Sequence, residues 1–415
     1  MPDSTRNNIN LIHRREYEIG KVMTGIGPPK KKNGQKKYPS VKKPANEDIV
    51  MENVPVVTAK APGIIHFLGG HCSPFAGLFL STTINRYIQI AVSPRKDNSL
   101  RFYAVDFEEH RRVSMNNLKY RKEDRWANYI KTAIYAFIKL GCPVKGMNFT
   151  VLGNIPQQIG LASSSAIEVA AAIALQGLFH SKIADMELAQ YLAKAHHWVF
   201  GRDPDLAGYI TGLCGKKDQL LLIDEINFTV KKIASPFSRC KIVLIDSRVH
   251  RLGIETELAI RKEELKSALE MLSHGRMDLN LRELAEAELI ESIGDLPEEI
   301  RRRILHVVQE IRRVLDAKEC LLHTDLPGFS RILFHSHDSL RDLFELSCPE
   351  IDWIVKRARE TDGIFGARMN GTGLGGCVYT IIKTEAVKEY KKKIEDYEKI
   401  FGFHPAIYEI KLGRL

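Results

Sequence analysis

Hydrophobic and polar positions settle into a regular pattern from Val54 onward. Apolar and β-branched runs at Val54 to Lys60, Ile64 to Leu68, Leu78 to Ile84 and Tyr87 to Val92 predict strands, with Ala61-Pro62-Gly63 and Gly69-Gly70-His71 as turns. Arg101 to Asp106 and Arg111 to Met115 predict a hairpin. Trp126 to Leu140 carries Ile130, Ile134, Phe137 and Ile138 at helical spacing and stops at Gly141, as a helix does. An alternating strand, Met147 to Leu152, leads to a helical pair, Ala166 to Phe179 and Met186 to Phe200, and then to the apolar strand Leu220 to Ile223. The chain turns around Ser235 to Arg239, and Cys240 to Ser247 opens a second unit with the apolar strand Ile242 to Ile245. Helical segments follow at Glu255 to Leu272, Leu279 to Ser292, Pro297 to Ala317, Phe329 to Leu343 and Pro349 to Thr361, then strands at Phe365 to Met369 and Val378 to Ile382.

With 415 residues, 44% hydrophobic and 27% charged, such a chain can bury two cores. No apolar run approaches the roughly 20 residues that span a bilayer, and the first residues lack the apolar segment of a signal peptide. The seven cysteines are odd in number, scattered and never in a Cys-x-x-Cys pair, which points to a reducing cytoplasm and gives zinc no support. The net charge of +10 is concentrated: residues 1–49 hold eleven Lys/Arg against five Asp/Glu, leaving +4 for the remaining 366. That segment, with seven lysines between Lys30 and Lys43 among Pro and Gly, predicts a solvated, disordered tail over 1–50, with weak contact to nucleic acid or an acidic surface as the alternative. The balanced body argues against a nucleic-acid enzyme.

Candidate chemistry begins at Asn154 to Ser165, where a strand, a Gly/Ser loop and a helix start follow one another. First-turn N–H groups without intrahelical partners, together with the helix dipole, make an anion site, and Gly160 lets backbone approach a phosphate. Serine hydroxyls add donors and one magnesium ligand, so the stretch reads as a triphosphate cradle; a plain helix cap is the simpler reading of the serines alone. Asp218, between the turn Cys214-Gly215-Lys216-Lys217 and the strand from Leu220, stands where a general base can be fixed, or is an ordinary turn residue. Gly371-Thr372-Gly373-Leu374-Gly375-Gly376 contains Gly-x-Gly-x-x-Gly, but a strand follows it, which excludes a dinucleotide fold.

The spacing Pro156-x3-Gly160-Leu161-x-Ser163-Ser164-Ser165 resembles the phosphate loop of the GHMP small-molecule kinases. Arg125 to Lys131, Cys214 to Gln219 and His335 to Arg341 resemble galactokinase text in particular, and the glycine-rich run at 371–376 resembles the third GHMP motif. The resemblance covers about Val57 to the C-terminus. It implies an α+β, two-domain GHMP kinase, with a ribosomal-protein-S5-domain-2-like N-terminal domain (51–236) and a ferredoxin-like C-terminal domain (237–415). It further implies ATP and Mg2+, with Pro156, Gly160, Leu161, Ala162, Ser163, Ser164 and Ser165 around the phosphates, Ser164 on the metal, and Trp126 and Tyr129 beside the adenine. Asp218 is implied as the catalytic base, and His71, Ser73, Gly215 and Gly373 as substrate contacts. The implied partner is a small sugar or sugar-like molecule.

Departures fall in the substrate half. Where the family has Ala-Pro-Gly-Arg and then Gly-Glu-His-Thr-Asp-Tyr, this chain has Ala61-Pro62-Gly63-Ile64 and then Gly69-Gly70-His71-Cys72-Ser73-Pro74. His196 stands at the acidic magnesium ligand, and Arg202 to Thr211 read as an insertion before Asp218, within which Asp203 or Asp205 could replace that ligand. Each sugar hydroxyl left without a charged partner costs roughly 1.5–3 kcal/mol, and loss of a transition-state cation roughly 10² to 10³ in rate. Three readings stay open: a kinase for another sugar or sugar-like alcohol, a galactokinase with a rebuilt site, and a nucleotide-binding homologue with impaired catalysis acting as a sensor or partner.

Overall fold

The computed structural model describes residues 55–413 apart from 74, 76, 251–252, 274–280, 283–292 and 295. The tail at 1–50 and nearly all of the helix expected at Leu279 to Ser292 lie outside the described residues.

The first unit is built on a seven-stranded sheet of β1 (Val57–Leu68), β2 (Leu78–Pro94), β3 (Ser99–Ala104), β4 (Glu109–Ser114), β5 (Met147–Gly153), β6 (Gln219–Asp224) and β7 (Thr229–Ala234). Its order is β4-β3-β5-β2-β6-β7, with β1 paired to β2 and only the β3–β5 pair parallel. Four strands expected between Val54 and Val92 are two long ones, paired from Val57 opposite Val92 to Leu68 opposite Leu80. Pro62 sits at a bulge in β1, where its missing N–H breaks no second ladder. The polar break at Asn85 is satisfied by the C-terminal segment, which bonds both its N–H and its side chain through Lys411.

Helices α1 (Ala127–Lys139), α2 (Ser163–Leu178), α3 (Asp185–Phe200) and α4 (Leu206–Cys214) complete this unit. The alanine-rich face of α2, from Ala166 to Leu175, is buried against β1 and β2. Small side chains there let the helix sit close to the sheet, so its N-terminus is rigidly placed.

The second sheet, antiparallel throughout, runs β11 (Ala406–Ile410), β8 (Cys240–Asp246), β10 (Cys377–Lys383), β9 (Ile364–Asn370). Helices α5 (Ile254–Ser273), α6 (Glu298–Leu322), α7 (Leu326–Asp342) and α8 (Pro349–Arg359) lie between β8 and β9; α9 (Val387–Ile394) and α10 (Asp396–Phe401) lie between β10 and β11. Strand order 4-1-3-2 with helical crossovers is the ferredoxin-like arrangement.

The two sheets part between Ala234 and Cys240, yet one hydrophobic core runs through both units. Phe67 of β1 meets the rings of Phe237, Phe329 and Tyr379, and Tyr379 Oη donates to the Phe67 carbonyl at 2.9 Å. The last residues return to the first unit, where Gly413 N–H donates to Thr83 O at 2.7 Å.

Candidate active site

Between β5 and α2 the loop turns through Gly160 (φ +85°) and Ala162 (φ +51°) before α2 begins at Ser163. A Cβ on Gly160 would stand 2.8 Å from Gly371 Cα, so glycine is required where this loop meets the glycine-rich turn of the second unit. Asn370 Nδ2 donates to Gly160 O at 2.8 Å, and Cys377 Sγ to Ile159 O at 3.0 Å. Ala162 offers no side-chain cap, leaving the first-turn N–H groups of α2 facing outward. They face a cleft of about 690 Å³, with Gly160, Leu161, Ala162, Ser163 and Ser164 on one wall and Gly371 and Thr372 on the other.

Asp205 stands in this cleft. It is the N-cap of α4, its Oδ1 accepting from Gly208 N–H at 2.8 Å, while Ser165 Oγ donates to Oδ2 at 2.8 Å. His66 Nε2 lies 3.5 Å from Oδ1, and His66 Nδ1 is 2.6 Å from Ser81 Oγ. Burial alone would raise the Asp205 carboxyl; the facing His66 imidazole, then Ser165 and the Gly208 N–H, outweigh it and hold the group below the usual carboxylate range. At neutral pH it is a fixed, half-exposed carboxylate.

Glu225 shares the cleft wall, accepting from Ala207 N–H and from Ser73 Oγ, each at 2.8 Å. Burial pushes its carboxyl up, Ser73 draws it back and the charge of Asp205 adds to the rise. Asp203, at the rim, pairs with Lys262 of α5.

An adjoining chamber of about 630 Å³ shares Ser164, Asp205 and Thr372 and extends to Glu168, His196 and Tyr209. These three form a closed group: His196 Nδ1 meets Glu168 Oε1 at 2.8 Å, and the Tyr209 hydroxyl donates to Glu168 Oε2. His196 is thereby committed to a carboxylate.

A third pocket, about 550 Å³, is walled by Phe107, Tyr120, Trp126, Tyr129 and Phe200 and touches Gln157 of the phosphate loop. Trp126 Nε1 donates to Glu109 Oε2 at 3.1 Å, and the Tyr129 and Phe200 ring centroids are 5.1 Å apart. Trp126 and Tyr129 are thus pocket walls within reach of the loop.

Several expected site residues are not brought into the cleft. Asp218 is an exposed turn residue at the far end of α4, with φ +56° and its carbonyl accepting from Ser235 N–H. Nine helical residues separate its loop from Asp205, about 13 Å at 1.5 Å per residue. Gly215 packs on Thr83 at the same far end, and Gly373 (φ +111°) packs on Leu346. Ile64 is buried and holds the phosphate loop through its N–H, bonded to Leu161 O at 3.2 Å. Residues two apart on a strand share a face, and His66 is the ionisable group that β1 delivers to the cleft. Ser73 lines the cleft; His71 lines the adjoining chamber, its Nε2 3.2 Å from Thr372 O, as a contact between the units.

The cleft also holds His66 and Glu225, which the sequence does not single out, and Asp205, which it offers only as a stand-in magnesium ligand. Asp205 did carry a signal: Asp203-Pro204-Asp205-Leu206 before an apolar run is a helix start, and the stretch from Leu206 to Thr211 is the first part of helix α4. His66 and Glu225 reach the site from strands far apart in sequence and carried none.

The residues fit a nucleotide triphosphate. The open helix start, with Gly160 to Ser164 on the cleft wall, suits phosphate oxygens. Among the described residues no group of three or more His, Cys, Asp or Glu forms a ready metal cage. The oxygen donors of Ser164 and Asp205 suit magnesium, which takes few protein ligands and completes its shell with water and phosphate.

Comparison with known proteins agrees. The GHMP kinases N terminal domain model matches residues 128–204, and the GHMP kinases C terminal model residues 317–397. A Treponema pallidum (strain Nichols) protein with a provisional galactokinase name is 35% identical over 363 residues, 86% of this chain and 91% of its own length. The galactokinase of Thermotoga petrophila is 32% identical over 353 residues, 85% of this chain and 97% of its own. In fold, the Lactococcus lactis galactokinase complexed with galactose superposes with a TM-score of 0.81 at 24% identity, over 88% of this chain and 96% of that one. The Methanococcus jannaschii mevalonate kinase does so at 0.60 and 17%, over 87% and 99%. Among the described residues no helix is long and apolar enough to cross a membrane. Identity sustained over nine-tenths of a relative's length reflects common descent rather than convergence on a fold, and this chain belongs to the GHMP kinase family as an ATP-dependent, galactokinase-like sugar kinase.

Proposed function

We propose that this enzyme transfers the terminal phosphoryl group of ATP to a hydroxyl of a small sugar held beside Asp205. The observation that carries the reading is the placement of Asp205, with Ser165 on one of its oxygens, against the uncapped start of α2. Phosphoryl transfer of this kind is mostly positioning and charge neutralisation. The Gly160 to Ser165 backbone holds the phosphates, and Trp126 and Tyr129 flank the base in the aromatic pocket. Ser164 and Asp205 would hold magnesium, which would supply neutralisation of the phosphate charge. Asp205, kept ionised by its partners, orients the sugar hydroxyl and accepts its proton.

ADP release from magnesium-ATP, measured across neutral sugars, amino sugars, uronates and polyols, tests this. Asp205→Asn is expected to lower kcat by about 10² to 10⁴-fold while an ATP-induced thermal shift persists; Asp218→Asn is expected to stay within about twofold of wild type. Unchanged turnover in Asp205→Asn would remove the assignment. The buried Ile64, which brings no cation to the cleft, favours the second reading, a nucleotide-binding homologue with impaired catalysis. Silence of wild type on every sugar, with ATP bound, would select it.

A further inference from the structure

Two carboxylates meet at the start of α4. Asp205 accepts from Gly208 N–H, and Glu225, arriving from the end of β6, accepts from Ala207 N–H. The other oxygen of Glu225 accepts from Ser73. Gly70, Ser73, Asp205 and Glu225 line one cleft with Ser164. The loop after β1, where the family resemblance places a glutamate and an aspartate, contributes neither here. At Gly70 a Cβ would make only an ordinary contact, with His66 Cβ at 3.9 Å, so the glycine leaves room for a larger group there. The cleft that Gly70 lines takes a carboxylate, Glu225, from another element.

Resting on the reading of this cleft as a sugar kinase site, we propose that Glu225 is a specificity-determining residue that binds hydroxyls of a neutral hexose in the space beside Gly70 and excludes acidic sugars. An ionised carboxylate only accepts, and each of its oxygens has about two lone-pair sites. Ser73 takes one site on one oxygen and Ala207 N–H one on the other, leaving an acceptor on each for the sugar. Sugar hydroxyls supply the matching donors. The carboxylate of a uronate would instead face Glu225, Asp205 and the rim Asp203, while the basic side chains of the cleft and its rim are already engaged, Arg368 with Glu310, His66 with Asp205 and Lys262 with Asp203. A site built to accept from hydroxyls discriminates strongly because its buried groups are left unpaired by the wrong ligand.

Full-length wild type and Glu225→Gln are compared with galactose, glucose and galacturonate. Binding is measured by calorimetry in the presence of magnesium and a non-hydrolysable ATP analogue, and KM by ADP release. Glutamine keeps an acceptor for Ala207 N–H and can donate to Ser73 Oγ, so the start of α4 survives the change. Wild type is expected to bind a neutral hexose at least tenfold more tightly than galacturonate. Glu225→Gln is expected to weaken the hexose by about 10- to 100-fold and to narrow that gap, with KM for ATP within twofold. Galacturonate bound as tightly as the hexoses, no hexose bound at all, or parallel loss of ATP and sugar in the variant would overturn the inference. Hexose binding with the expected dependence but no ADP formed would sink phosphoryl transfer and leave the role of Glu225 standing.

Discussion

Asp224 shows how one side chain can set the position of its neighbour. It closes β6, accepts from the N–H groups of Ile226 and Asn227, and pairs with both terminal nitrogens of Arg282. The turn that presents Glu225 is therefore anchored from the adjacent residue. Burial would raise the Asp224 carboxyl, but Arg282 and then Asn227 outweigh it and lower it to about 2. A carboxyl depressed in the folded state contributes stability above its unfolded value near 3.8 and loses it as pH falls toward 2. Asp224→Asn is thus expected to cost about 2 kcal/mol at pH 7, with roughly half of that difference gone by pH 3. Urea unfolding at the two pH values checks it, and an equal cost at both would rule out the ion pair as the source. Residue identity alone would not have separated Asp224, Asp205 and Asp218. All three flank apolar segments, and their roles divide according to what the backbone around them offers.

At the scale of elements, α4 decides which aspartate faces the phosphate loop. Its N-terminus carries Asp205 into the cleft and its C-terminus carries Gly215 and the Asp218 turn away from it. The helix start is legible in the sequence as an Asp cap, whereas the Cys214 to Gln219 string, which resembles a catalytic-aspartate motif, lies at the other end of the same helix. The phosphate loop is the opposite case, because strand, glycine, serines and helix are consecutive and interact locally. Its dependence on the second unit is the part that sequence did not carry. Gly160→Ala would place a methyl group 2.8 Å from Gly371 Cα at a residue with φ +85°. It is expected to cost about 1–3 kcal/mol and to raise KM for ATP more than KM for the sugar. A variant with wild-type stability and wild-type KM for ATP would show that the loop does not need this contact.

For the molecule as a whole, the second unit reaches into the first through buried charge. Glu310 of α6 accepts from Gly69 N–H at 3.1 Å and from Ser336 Oγ, and pairs with Arg313 and Arg368. Burial opposes its charge, but Arg313 and Arg368 hold the carboxyl far below the usual range. Arg368 itself reaches the cleft. Glu310→Ala would leave two guanidinium groups uncompensated, for an expected loss of about 3–5 kcal/mol, read by chemical denaturation. Because Gly69 precedes Gly70 and His71, the same variant is expected to loosen the loop beside Glu225 and raise KM for the sugar. A binder of the native state stabilises it by mass action, so saturating ATP at about 100 times its Kd should add about 2.7 kcal/mol. A thermal midpoint indifferent to ATP would contradict nucleotide binding.

Local pattern was enough for most of the architecture. Helix and strand periods, the order of strand, glycine loop and helix around Gly160, and a strand rather than a helix after Gly376 are all short-range properties, and they led to the kinase fold. Tertiary structure decided where the chemistry sits. Long-range pairing merged the runs on either side of Pro62 and of Asn85 into single strands, since a bulge and the returning C-terminal segment satisfy what looked like breaks. It also gathered His66, Asp205 and Glu225 from three separate elements onto one cleft wall. Sequence pattern reports which face of an element is buried; it does not report which distant side chains that burial brings together, because that is set by the packing of whole elements against one another.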